Sequence, residues 1–436
     1  MSEDRAFIRV LEPAQDLLAQ LLDGKTTPIA LTARCRARIE ARDSEIMAWQ
    51  ALDWNFVQRQ IDDLSERPAN ARGALFGLPV GVKDLFDTAD LPTAYGSEIY
   101  QGHCPMADAA AVARLRAEGA ILIGKTVSTE FAYWKAGKTR NPHDQSRTPG
   151  GSSSGSAAAV ADGMVPLAIG SQTAASTIRP AAYCGIVGFK PTIGLISLAG
   201  IKALANSLDH VGVFATDVTG SGLLAGALSG RTELMTPTAL KTPPRLALVM
   251  SPEWESASQA SRKAVQHAAN LATGHGADVR TFDAPPLFAG LAEIQTTIMA
   301  YEAARELAHE RRCHFDRLSQ PLRDLLTQGK SISATTYDDA CRQRDDSLMA
   351  LDRLFDDADV LLAPSAVGEA PLFEYGTGDP IMSRAWTLLG LPSITLPCGA
   401  GDNGLPLGLQ IAARPREDEK LLAIAAWLEH RLATKP

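Results

Sequence analysis

Residues 150–192 read GGSSSGSAAAVADGMVPLAIGSQTAASTIRPAAYCGIVGFKPT. Glycine and serine dominate its start, a composition that alone would suit a flexible linker. The continuation decides otherwise, because a small-residue helix, an apolar strand and glycine turns follow one another without a break. Small residues at this density mean close backbone approach, so the stretch is packed core. Upstream, the run Gly77 to Asp84 is short, apolar and ends in charge, which predicts a buried strand delivering Lys83 to its end. Asp108 is expected to cap a helix running through Glu118, and Ala120 to Ile123 reads as a compact strand. Alternating helix and strand predicts an α/β sheet.

Outward from this core the pattern changes. Before residue 75 it is helical: Leu17, Leu18, Leu21 and Leu22 recur at helical spacing, and Thr27-Pro28 reads as a cap and first position opening a helix from Ile29 to Arg42. Beyond residue 240 we expect a strand at Leu246 to Met250 and a helix from Ser256 to Leu271. Long charged helices across 287–312 and 336–355 precede a strand at Val360 to Ala363. Apolar stretches at Pro392 to Pro397 and Leu407 to Ile411 come before a closing amphipathic helix from Arg416 to Arg431. There is no internal repeat and no linker long enough to separate domains. The expectation is one α/β unit, with a helical lead-in over 1–74, a core over 75–225 and a part over 240–436 that completes the sheet.

Bulk properties bound the function. A chain of 436 residues, 45% of them hydrophobic, can bury a large core. Its 42 basic and 50 acidic residues give a net charge of -8, and no lysine or arginine block would track a phosphate backbone, which argues against nucleic acid as a partner. The start, MSEDRAFIRVLEPAQDLL, lacks the basic opening and apolar run of a signal peptide, and no segment offers about 18 uninterrupted apolar residues. A cytoplasmic protein without a membrane partner is expected. Six scattered cysteines, with no CxxC pair and no zinc spacing, read as reduced structural thiols and predict no metal site.

Three motifs compete for the chemistry. Gly119 to Thr126 matches the phosphate-loop pattern G-x4-G-K-[ST], but such a loop must follow a strand and open a helix, whereas here a helix precedes and the intervening residues are themselves a strand. Gly151 to Gly155 matches G-x-S-x-G and would make Ser153 an elbow nucleophile. That elbow needs a preceding strand, and polar NPHDQSRTPG occupies its place. The third is a constellation of Lys83, the Gly150 to Ser156 loop, and Ser176.

At these residues the sequence resembles the amidase signature family. The shared features are VGVKDLFDTAD, GSEIY, IGKT, NPHD, PGGSSSGSAAAVA, STIRPAAYCGIVGFKPT and the distal LPSITLPCG and GLPLGLQI, spread over residues 75–412. Within the family it looks most like malonamidase-type bacterial enzymes, which share the SSSGSAAAV loop and a Gln-Thr where most members carry an aspartate. The resemblance implies a large mixed β-sheet covered by helices on both faces. It also implies a cofactor-free amide hydrolase and a possible homodimer.

In the family a serine preceded by a cis peptide lies 24 positions before the nucleophile, and 176 minus 152 is 24, which selects Ser152. By that resemblance Lys83, Ser152 and Ser176 form the catalytic relay, with the backbone of Thr173, Ala174, Ala175 and Ser176 as oxyanion hole. Lysine acts as a base only when neutral, and burial away from carboxylates favours that form. The chain departs from the family in having Ala174 and Ala175 where glycine is usual, which would be strained if either position needs positive φ. It also carries Gln172 where an acid usually pairs with the arginine represented by Arg179. Arg179 is thereby either a ligand for a substrate carboxylate or a tie from the loop to backbone carbonyls. Ser153, Ser154 and Ser156 read as loop and cap donors, Tyr133, Trp134 and Trp386 as core or pocket wall, and His143 as a turn residue. Small amides bearing a carboxylate, or urea-like ones, are the expected substrates. The alternative is an amidase-fold protein, amidotransferase-like or catalytically silent, acting in a complex.

Overall fold

A computed structural model describes residues 11–68, 71–283 and 288–433. Residues 1–10, on which much of the signal-peptide reading rests, and residue 287, where the first charged helix was expected to begin, lie outside the described residues.

The frame is an 11-stranded sheet ordered β1-β3-β2-β4-β6-β5-β10-β11-β9-β7-β8. The strands are β1 (Trp49–Leu52), β2 (Pro79–Lys83), β3 (Ile121–Thr126), β4 (Leu167–Gln172), β5 (Val187–Lys190) and β6 (His210–Ala215), then β7 (Arg245–Met250), β8 (Asp278–Asp283), β9 (Val360–Pro364), β10 (Ser393–Ala400) and β11 (Pro406–Ala412). It is mixed: β2 runs parallel to β3 and β4, β7 parallel to β8 and β9, and the other pairings are antiparallel. Helices cover both faces, as the α/β expectation required. Every residue of β2, β3, β4, β5, β6 and β11 is buried, which is why these strands read as continuous apolar runs rather than alternations.

The glycine- and serine-rich stretch is packed, as its continuation predicted. The helix Ser154–Ala161 is buried along its whole length. A Cβ on Gly155 would sit 2.2 Å from the carbonyl oxygen of Ala48 and 2.3 Å from the amide of Val127, so only glycine lets this helix reach β3. The phosphate-loop pattern resolves as helix Ala110–Ala117, turn and β3. Its Lys125 is fully buried and bonds Phe86 O at 2.5 Å and Thr93 Oγ1 at 2.6 Å.

Thr27 caps the helix Pro28–Ile46 as expected, accepting from the amide of Ala30 at 3.1 Å. Asp108 is not a cap: that helix starts at Ala110 with Ala109 at its cap position, and Asp108 instead accepts from the Ala89 amide and pairs with Arg116. The helical lead-in also contains β1, which pairs antiparallel with β3 across an irregular register. The strand β8 was missed because it lies at the sheet edge with four of its six residues exposed, so its sequence carries no apolar run. Among the described residues no helix is long and apolar enough to cross a membrane.

Candidate active site

Parallel pairing of β2 with β4 sets Val82 beside Ile169, so the carboxyl ends of both strands open on the same side of the sheet. Lys83 ends β2 and is fully buried. Its Nζ lies 2.7 Å from Ser152 Oγ and 2.8 Å from Ser171 Oγ. Burial pushes the Lys83 amine down to about 7, against a smaller upward pull from the buried Asp209. The neighbouring Asp84 is engaged elsewhere, 3.8 Å from Lys125 Nζ and accepting from the Ala94 amide. Lys83 is thus surrounded by hydroxyls, without a carboxylate in salt-bridge range among the described residues.

Ser152 follows a cis peptide bond from Gly151. The other serines of the loop face main chain: Ser153 Oγ bonds the carbonyl and amide of Ser171, Ser154 Oγ the carbonyl of Val127, and Ser156 Oγ that of Ile169. Ser153 is wholly buried, which removes the elbow reading. His143 Nε2 lies 2.8 Å from the Cys184 carbonyl, in keeping with a turn residue.

Ser176 sits in the turn between β4 and the helix Ile178–Cys184. It shares with Ser152 a cavity of about 40 Å³ that Tyr133 and Trp134 also line, whereas Trp386 is buried in the core against Phe288.

Three carbonyls of the preceding loop are held from outside it. Gln295 Nε2 donates to Thr173 O at 3.0 Å, Thr387 Oγ1 to Ala174 O at 2.6 Å, and the Arg179 amide to Ala175 O at 3.0 Å. In a trans peptide the N–H points opposite to the C=O, so these clamps orient the amides of Ala174, Ala175 and Ser176 away from the three donors. None of those amides donates to a described residue. Neither Ala174 nor Ala175 has positive φ, so the replacement of glycine carries no backbone strain. Gln172 does not bond Arg179: its Oε1 accepts from the amides of Thr177 and Ile178, and its Nε2 donates to Thr387 Oγ1. Thr173 Oγ1 donates to Asp209 Oδ1 at 2.5 Å, and burial raises that carboxyl to about 6.

Arg179 is bonded to the protein through both terminal nitrogens. Its Nη1 donates to Gly378 O, and its Nη2 to Gly151 O at 2.7 Å and Thr377 Oγ1 at 3.3 Å. Burial lowers it to about 10. Sequence reasoning missed Ser171, Asp209, Gln295, Thr387 and a second cavity-lining arginine, Arg384. Strand alternation would not have found Ser171, because the register that pairs Val82 with Ile169 gives Gln172, and not Ser171, the parity of Lys83. The rest lie in segments whose approach to the site no local pattern encodes.

A family model described as Amidase matches residues 30–422. A glutamyl-tRNA(Gln) amidotransferase chain from Lysinibacillus sphaericus (strain C3-41) is 31% identical, over 95% of each chain. A chain from a vestigial protein complex bearing on the origins of an s-triazine catabolic enzyme shares 28% identity and a TM-score of 0.88, covering 96% of this chain and 98% of that one. The peptide amidase of Stenotrophomonas maltophilia shares 28% identity and a TM-score of 0.83, covering 99% of both.

Proposed function

This chain belongs to the amidase family, and from that membership we propose that it hydrolyses a small amide through an acyl-enzyme on Ser176. The observation that carries the reading is the buried Lys83 amine resting on Ser152 Oγ, with Ser152 and Ser176 on one cavity. Neutral Lys83 takes a proton from Ser152, which takes one from Ser176 as that oxygen attacks the amide carbon. The oxyanion is received by the clamped amides of Ala174, Ala175 and Ser176, donors of a kind worth about 3 kcal/mol each. The amine or ammonia leaves with the proton returned along the same relay, and water then releases the acid.

Small amides, carboxylate-bearing or urea-like, are the substrates this reading takes. The SSSGSAAAV loop and Gln172-Thr173 favour a malonamidase-type enzyme within the family. The test is ammonia release from a panel of small amides by wild type and Ser176→Ala. Release that the substitution abolishes supports the reading, and release that survives it sinks the reading. A second reading, a chain working beside a partner protein, rests on the similarity to an amidotransferase component. Glutaminase activity that appears only on adding a copurifying protein would favour it.

A further inference from the structure

Arg179 and Arg384 both line the cavity that holds Ser176, yet they are bonded differently. Arg179 has both terminal nitrogens on main-chain carbonyls, Gly151 O and Gly378 O. Its Nε has no partner among the described residues, but Nη2 is already bonded to Gly151 O and Thr377 Oγ1, so no complete two-donor edge is left for a bidentate contact with a substrate. Arg384, on the helix Ile381–Leu388, uses only Nη1, which donates to Gln295 Oε1 at 2.9 Å and to Thr296 Oγ1 at 2.5 Å. Its Nε and Nη2, the edge that meets a carboxylate with two parallel N–H donors, bond to no described residue.

The charge around it points the same way. No carboxylate among the described residues comes within salt-bridge range of either arginine. The acid nearest in electrostatic influence on Arg384 is Asp379, which is exposed and accepts from the amide of Ile381 at 2.9 Å. The cavity wall therefore holds a half-buried cation with an open bidentate edge and no protein counter-ion. Desolvating such a group is unfavourable unless an anion completes it.

We propose that Arg384, rather than Arg179, receives the carboxylate of an anionic small-amide substrate through its Nε–Nη2 edge. This rests on the reading of the chain as an amide hydrolase. The other end of Arg384 adds a consequence: Nη1 holds Gln295, and Gln295 holds the Thr173 carbonyl whose peptide presents the Ala174 amide. The residue that recognises the anion is one hydrogen bond removed from the clamp on the oxyanion hole.

The experiment compares wild type, R384Q and R384K. It measures malonate binding by calorimetry and kcat/KM for malonamate against acetoacetamide, a neutral amide of similar shape. R384Q is expected to weaken malonate on the order of tenfold to a hundredfold and to reduce the malonamate preference by a similar factor, with R384K recovering part of both. Unchanged malonate affinity in R384Q, or no malonamate preference in wild type, overturns the proposal. The underlying reading is scored separately, by covalent labelling of Ser176 with a fluorophosphonate. If Ser176 labels and both amides turn over equally, only the role of Arg384 fails. If nothing turns over and Ser176 does not label, the hydrolase reading fails, and calorimetry still decides whether Arg384 binds the anion.

Discussion

Lys83 Nζ lies 2.7 Å from Ser152 Oγ and almost as close to Ser171 Oγ, at 2.8 Å, so the amine is shared between two serine hydroxyls. Because burial brings Lys83 down to about 7, the neutral base is lost as pH falls through that value. The expected kcat/KM profile has a single acidic limb with its midpoint near 7, measured with a neutral amide so that substrate titration does not intrude. A limb centred near 4 would point to a carboxylate base and sink the relay.

The same burial affects stability. The folded amine has the lower pKa, so between about 7 and the ordinary lysine value of 10.5 the unfolded chain binds the extra proton, and stability contributed through this group rises with pH across that window. Lys83→Met is therefore expected to raise Tm most at and below neutral pH and to lose that advantage towards pH 10. A Tm difference that does not vary with pH would contradict this.

Ser171 bonds Lys83 but does not line the cavity. Ser152→Ala should lower kcat by roughly a thousandfold, within the usual span for losing a proton-transfer partner. Ser171→Ala should cost only about tenfold and move the acidic limb. Equal losses from both would show that the two serines share the relay.

Thr387 donates to Ala174 O at 2.6 Å. Thr387→Val keeps the shape, removes the donor and frees the peptide that presents the Ala175 amide. We expect kcat to fall on the order of tenfold or more with little change in KM, because an oxyanion donor acts in the transition state. A rise in KM at constant kcat would assign Thr387 to substrate binding instead.

Arg179 ties Gly151 to Gly378 and Thr377. Arg179→Met should lower stability by about 3 kcal/mol, the order expected when buried charged hydrogen bonds are removed, and should depress all amides alike. Thermal unfolding together with the substrate panel distinguishes this from selective loss of carboxylate-bearing substrates.

Much of the site was legible because its chemistry is local. Lys83 ends an apolar run, Ser152 and Ser176 sit in stretches whose order and spacing are specific, and the small residues between them announce close packing. The structure places Lys83 against Ser152, and Ser152 with Ser176 on one cavity. The choice between the two roles of Arg179 needed coordinates, since it depends on Gly378 and Thr377, some 200 residues away. Gln295, Thr387 and Arg384 were illegible for the same reason, as each lies on a helix whose sequence records only which face is apolar. The edge strands β1 and β8 escaped because one is four residues long and the other is largely exposed, so neither carries the periodicity by which strands are recognised.

The clamps on the Ser176 loop also set an order of events during synthesis. Lys83, Ser152 and Ser176 emerge from the ribosome early, but the donors that hold Thr173 O and Ala174 O arrive with Gln295 and Thr387, and the carbonyl that holds Arg179 arrives with Gly378. A nascent chain carrying only the first half of the sequence has Lys83, Ser152 and Ser176 without the side chains that fix the Thr173 and Ala174 carbonyls. On the proposed function, hydrolytic competence would then come only with completion of the fold.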